Sequence, residues 1–140
     1  MISILKILVL IASVLQVTYA YCVYNRLTNS TSLPTFINVS EIGIIRAGEQ
    51  KFRTTLVGYD SRACCPYTQK TCNPYGSLVQ IITFNVEASF NGKSIDAKHT
   101  APCDAGAGLA FYGATPDDFY AECVSRNGTV RRVNLDHFYS

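Results

Sequence analysis

Two adjacent cysteines, Cys64 and Cys65, are followed by Pro66 and Tyr67 and then by Cys72, in the run RACCPYTQKTCNPYGS. A reactive thiol, a metal cluster and a disulfide staple could each use that spacing. Structural zinc wants a second Cys or His pair at matching spacing, and none occurs; no metal and no cofactor is expected. Nucleophilic catalysis needs a base beside the nucleophile. The only histidines are His99, at the exit of an expected hairpin, and His137, near the chain end. Each reads as a solvated loop residue. No G-x-S-x-G elbow is present, and Asp117-Asp118 after Pro116 reads as turn and cap chemistry. No catalytic residue is assigned.

The thiol option has one local parallel. Cys65-Pro66-Tyr67-Thr68 is similar to the CPYC and CPYS sites of glutaredoxins, whose cysteine is activated at a helix N-terminus after a strand. Here the following QKTCNPYGSL is too rich in turn residues for a packing helix, and Thr68 stands in place of the second cysteine. The staple reading prevails.

The chain start supports it. MISILKILVLIASVLQVTYA has Lys6, an apolar run from Ile7 to Leu15, and Thr18 and Ala20 as the small residues of a cleavage site, the layout of a secretory signal peptide. The run is short of the ~20 residues that span a bilayer, and no second one follows, so no membrane association is expected after its removal. Residues 1–20 are thus expected to be a signal peptide and 21–140 a single secreted domain of 140 − 20 = 120 residues. Losing Lys6 takes the 12 basic residues to 11 against 10 acidic ones, about +1. So little charge gives no bulk attraction to nucleic acid, and none is expected as a partner.

All 6 cysteines remain, an even count that implies three disulfides in an exported chain. A Cys64–Cys65 bond is disfavoured: adjacent Cα atoms sit ~3.8 Å apart, whereas a relaxed disulfide wants ~4.4–6.8 Å. Either Cys64 or Cys65 is expected to close a loop on Cys72, the other to reach Cys103, and Cys22 to join Cys123. That makes the opening stretch a cross-linked surface loop.

Strand alternation dominates the mature sequence. From Leu78 to Phe90, Leu78, Ile82, Phe84, Val86, Ala88 and Phe90 share one face, with Gln80 the single polar residue among them. Asn91-Gly92 is a hairpin signal, and Lys93–Ala97 should return. A second hairpin pairs Phe119–Arg126 with Thr129–Leu135 about Asn127-Gly128. Lys51–Val57 alternates too, and Cys22–Leu27, Thr35–Val39, Ile42–Ile45 and Gly108–Tyr112 are shorter candidates. About eight short strands between turns predict an all-β fold, an antiparallel β-sandwich or barrel.

Tyrosine is abundant, at 9, while tryptophan is absent. Amphipathic rings suit protein or carbohydrate surfaces, and Tyr59, Tyr67, Tyr75 and Tyr112 are the candidate binding residues. Asn29, Asn38 and Asn127 open N-x-S/T sequons, the last on an expected hairpin tip. Arg131-Arg132 would place its side chains on opposite faces of a solvated strand.

YCVYNRL, ACCPYTQKTCN, CDAGAGL and FYAECVSRNGT together resemble the small cysteine-rich proteins that fungi secrete, many of them effector-like. Locally, Ala107-Gly108-Leu109, Gly113-Ala114-Thr115, Asp118-Phe119 and Glu122-Cys123 are similar to the C-terminal segment of guanyl-specific fungal ribonucleases. Phe111-Tyr112 stands where that family keeps a catalytic histidine, so a shared fold would imply a catalytically dead version. The expectation is a secreted, non-catalytic binding module of effector or defence type, recognising an extracellular protein or carbohydrate. Its rivals are a secreted hydrolase, ribonuclease-like or carbohydrate-active, and a structural extracellular or wall component.

Overall fold

The computed structural model describes residues 19–28, 34–42, 51–66, 69–72, 77, 80–94, 98–133 and 135–138, with backbone alone for 19, 20, 93, 94, 98 and 136–138. Among the described residues eleven strands form: β1 Tyr19–Leu27, β2 Phe36–Ile42, β3 Arg53–Val57, β4 Arg62–Pro66, β5 Ile81–Phe90, β6 Lys93–Ser94, β7 Lys98–Asp104, β8 Gly108–Gly113, β9 Tyr120–Val124, β10 Val130–Val133 and β11 Asp136–Phe138. One sheet runs β10-β9-β8-β1-β4 and the other β11-β7-β5-β2-β3, with β6 pairing the end of β5. The two pack over a shared core, giving an all-β sandwich with three disulfides. Among the described residues no helix is long and apolar enough to cross a membrane.

The alternation in β5 is the backbone of this arrangement. Ile82, Phe84, Val86, Ala88 and Phe90 are all buried, so a period of two sends every second side chain to the core. Ile37, Val39 and Leu56 join them from β2 and β3. Val23, Leu109, Phe111, Ala121 and Val133 come from the facing sheet. Both Asn-Gly turns form, and Asn91 and Gly92 take φ of 52° and 77°, the left-handed pair that a tight hairpin needs. Asn25 is fully buried on β1, where its amide nitrogen donates to the Leu56 carbonyl of the other sheet at 3.4 Å and its Oδ1 accepts the Leu27 N–H at 3.0 Å. Those bonds offset the desolvation of a polar side chain in the core.

Three features depart from the sequence expectation. First, β1 and β8 run parallel, while the other ladders are antiparallel. Alternation fixes which face a strand buries, not the direction of a distant neighbour. Second, β7 and β11 were not foreseen. β7 buries His99 and Thr100, one on each of its faces, and contains Pro102, a composition that argues against a strand. Pro102 lies past Thr100, the last residue that β11 pairs, and stands opposite Thr83 of β5. Third, residues 62–66 are an edge strand rather than a loop.

That third difference decides the disulfides. In a strand, Cys64 and Cys65 must point to opposite faces. Cys64 turns outward and lies directly across from Cys22 of β1, and the two are bonded. Cys65 turns inward and bonds Cys72, with Cα atoms 5.7 Å apart. Cys103 and Cys123 are left, and they join β7 to β9 across the sandwich with Cα atoms 5.5 Å apart. The Cys65–Cys72 ring is one of the two alternatives expected. The Cys22–Cys123 pair and the tie from the loop to Cys103 are both overturned. Three disulfides place the folded chain in an oxidising environment. The expected signal peptide lies outside the described residues, apart from the backbone of 19 and 20 that opens β1.

One buried polar pair has a measurable consequence. Tyr21, 3% exposed, packs its ring against Phe52 and Phe84 and donates its hydroxyl to Glu41 Oε2 at 2.9 Å. Burial raises the Tyr21 phenol far above its ordinary range, and the Glu41 charge adds to this. Burial also raises Glu41 above 4.5, while the Tyr21 hydrogen bond and Lys51 pull it partly back. A raised carboxyl binds more protons folded than unfolded, so stability falls as pH climbs from about 4.5 through the folded value. Glu41→Gln keeps an oxygen for Tyr21 and removes that slope. Denaturant unfolding from acid to neutral pH should show the variant gaining on the wild type over that window, then holding level. Parallel curves would refute the burial argument.

Candidate functional site

The outward residues of the β10-β9-β8-β1-β4 sheet form an organised face. Register sets them in two rows across the strands. One runs Arg62, Tyr24, Ala110, Glu122 and Arg132; the next runs Arg26, Tyr112 and Tyr120. Tyr24 leans over β8 at Gly108, where an added Cβ would come within 3.2 Å of Cε2 of its ring. A side chain at Gly108 would require the Tyr24 ring to give by a few tenths of an ångström.

The second row is a stack. Tyr112 and Tyr120 lie nearly parallel, 16° apart, with centroids at 5.3 Å. The Arg132 guanidinium sits 4.1 Å from the Tyr120 ring centre. Because β8 and β10 flank β9, Tyr112 and Arg132 approach Tyr120 from opposite sides, and both faces of that ring are covered. On the far side Arg26 pairs with Asp60 and stands 5.9 Å over the Tyr59 ring. Tyr59 and Asp60 are held by the β3–β4 turn, where the Asp60 N–H donates to the Asn25 carbonyl at 2.8 Å. Tyr59 is 58% exposed. The Tyr112 phenol is raised chiefly by burial and then by the Glu122 charge, against the lowering effect of Arg26.

Such contacts are worth ~0.5–1 kcal/mol for an exposed cation–π pair and ~0.5–1.5 kcal/mol for a ring pair. Their larger effect is to hold long side chains in one geometry before any partner arrives, which lowers the entropy lost on binding. The result is a surface of ring edges, hydroxyls and guanidinium N–H groups. It carries three guanidiniums, of Arg26, Arg62 and Arg132, against the carboxylates of Asp60 and Glu122.

Of the sequence candidates, Tyr59 and Tyr112 lie on this face, whereas Tyr67 and Tyr75 fall outside the described residues. Tyr24, Tyr120, Arg26, Arg62 and Arg132 were missed as binding residues. The signal for three of them was available: Tyr24 and Arg26 sit on the polar parity of β1, and Tyr120 on that of β9. Arg131 and Arg132 are both exposed in a strand as expected, but Arg132 is engaged by Tyr120.

The chemical residues lie elsewhere. His99 is not a solvated loop residue: it is 5% exposed on β7, its ring 5.6 Å from that of Phe119. Hydrophobic neighbours on the core side of β7 draw it inward. His137 stands opposite His99 in the β11–β7 register. Asp118 caps its own turn, its carboxylate accepting from the Ala114 and Thr115 N–H groups and the Thr115 hydroxyl. The Thr115 N–H bond is the main cause that holds the Asp118 carboxyl below the ordinary carboxylate range. Among the described residues no group of three His, Cys, Asp or Glu side chains is placed to hold a metal.

Fold and face together define a disulfide-stapled β-sandwich with a pre-stacked Tyr–Arg surface. No family model matches the chain, and no curated protein or solved structure matches it.

Proposed function

We propose that this chain is a secreted, non-catalytic binding module of effector or defence type, whose Tyr–Arg sheet face docks on an extracellular protein. The observation that carries this is the Tyr112–Tyr120–Arg132 stack. A sugar-binding platform needs an open ring face, and here both faces of Tyr120 are covered. What the stack leaves open is a rim of hydroxyl and guanidinium donors. Tyr and Arg are the residue types, with Trp, that dominate protein-interface hot spots. The disulfides fit an extracellular setting, and the expected likeness to the small cysteine-rich proteins that fungi secrete points the same way.

The test is saturation binding of the fluorescently labelled chain to intact cell surfaces. Tyr120→Ala with Arg132→Ala should weaken binding by more than about tenfold, the loss of a hot-spot pair. Arg53→Ala, an exposed arginine on the other sheet, should change nothing. Protease treatment of the surface should abolish binding while glycosidase treatment spares it. Equal losses in both variants would sink the face; glycosidase sensitivity would move the partner to carbohydrate. Release of nucleotides from RNA by the purified chain would replace this reading with the hydrolase one.

A further inference from the structure

At one end of the sandwich the β7–β8 and β9–β10 turns enclose a cleft of about 360 Å³, lined by Asp104, Gly106, Ser125, Arg126 and Asn127 among others. Its size falls at the lower end of the ~300–1,000 Å³ that holds small ligands. The cleft exists because Ala105-Gly106-Ala107 supplies almost no side-chain volume. Asp104 and Arg126 provide polar groups at its margin, and Asp104 Oδ2 accepts the Ser125 hydroxyl at 3.1 Å.

Asn127 is both a wall of this cleft and the first residue of a sequon. It lies in an exposed turn, closed by the Gly128 N–H on the Ser125 carbonyl and the Ser125 N–H on the Thr129 carbonyl, each at 2.9 Å. Its Oδ1 accepts the Thr129 N–H at 2.9 Å, which leaves Nδ2, the atom that would bear a sugar, outside that bond. Gly128 takes φ 85°, and an added Cβ there would meet nothing within 4 Å, so the tip is uncrowded. The second described sequon differs. Asn38 lies within β2 between β3 and β5, and its Oδ1 accepts the Thr55 hydroxyl at 2.7 Å. Asn29 lies outside the described residues.

We infer that Asn127 is an N-glycan acceptor whose first N-acetylglucosamine rests in the cleft between the two turns. The donor is a lipid-pyrophosphate-linked oligosaccharide of the secretory pathway. A bond forms between Nδ2 and the sugar C1, the C1–O bond to the pyrophosphate breaks, the lipid pyrophosphate leaves with the electron pair, and the amide proton passes to the transferase base. The cleft then covers the apolar ring face of the first sugar with the Ala-Gly-Ala backbone, while Asp104 and Arg126 meet its polar edge.

The full chain, secreted from a eukaryotic host, tests both parts. Mass spectrometry should find a glycan on Asn127 that Asn127→Gln and Thr129→Ala each abolish and Thr129→Ser retains. One sample is then trimmed to a single N-acetylglucosamine by an endoglycosidase, and a second is stripped by the amidase that leaves aspartate. Amide exchange at residues 105–107 should be several-fold slower in the first than in the second. An unmodified Asn127 in that host overturns the acceptor, and equal exchange in the two samples overturns the seating. The Tyr–Arg face takes no part in either readout, so failure here and failure of the binding reading are separable.

Discussion

Replacing Cys103 and Cys123 together by alanine is expected to destabilise the fold more than removing the Cys22–Cys64 bridge. Ring size alone argues otherwise: chain entropy gives about 4 kcal/mol for the Cys22–Cys64 separation of 42 and about 3.3 kcal/mol for the Cys103–Cys123 separation of 20. The environments reverse that order. Cys22 and Cys64 are half-exposed partners on strands already joined by a hydrogen-bonded ladder, so much of their proximity survives. Cys103 and Cys123 are 2% and 0% exposed and join strands of different sheets. Losing both sulfurs there leaves a void that adds roughly 1–2 kcal/mol to the entropic loss. The total, about 4–5 kcal/mol, should lower Tm by about 10 °C or more. Guanidinium unfolding of the two double variants under non-reducing conditions decides it. A larger loss for Cys22/Cys64 would show that ring size, not the inter-sheet position, governs.

Phe84→Ala should cost about 3–5 kcal/mol, the usual range for truncating a buried aromatic. Phe84 is 1% exposed at the centre of β5 and meets the Tyr21 ring edge-on at 5.0 Å. Its removal opens a cavity beside Tyr21 and loosens the hydroxyl held on Glu41. Two readouts should therefore move together: the denaturant midpoint falls, and the Glu41 carboxyl returns toward ordinary acidity as water reaches it. Where the alanine variant fails to fold, Phe84→Leu serves, with a smaller loss of about 1–2 kcal/mol. A loss below about 1 kcal/mol for the alanine variant would mean that the sheets close over the gap.

Much of the fold was legible because it is written locally. The alternation of Ile82, Phe84, Val86, Ala88 and Phe90 names its buried face within one segment, and Asn91-Gly92 and Asn127-Gly128 name their turns in two residues each. The cap at Pro116–Asp118 is equally local, since the Asp118 carboxylate bonds groups only three and four residues away. β7 was illegible for the converse reason: His99, Thr100 and Pro102 deny it a strand pattern, and only packing against Phe119 and pairing with β5 make it one.

The candidate site was half legible. Tyr59 and Tyr112 stand out as types, but nothing local says that they flank Arg26 or that Tyr120 and Arg132 complete the row. Those neighbours come from strands far apart in sequence, brought side by side by the β10-β9-β8-β1-β4 order and the parallel β1–β8 register. The cysteines divide in the same way. Their even number and the Cys64–Cys65 adjacency fix three bridges and forbid one. Which bridges form depended on β4 becoming a strand beside β1, so that Cys64 and Cys65 face opposite ways. By itself the sequence determined which face β5 and β9 bury and where the two Asn-Gly turns fall, since both follow from interactions within a few residues. Strand neighbours, sulfur pairing and the assembled Tyr–Arg face were decided by the tertiary structure, because each depends on closing long loops around one shared core.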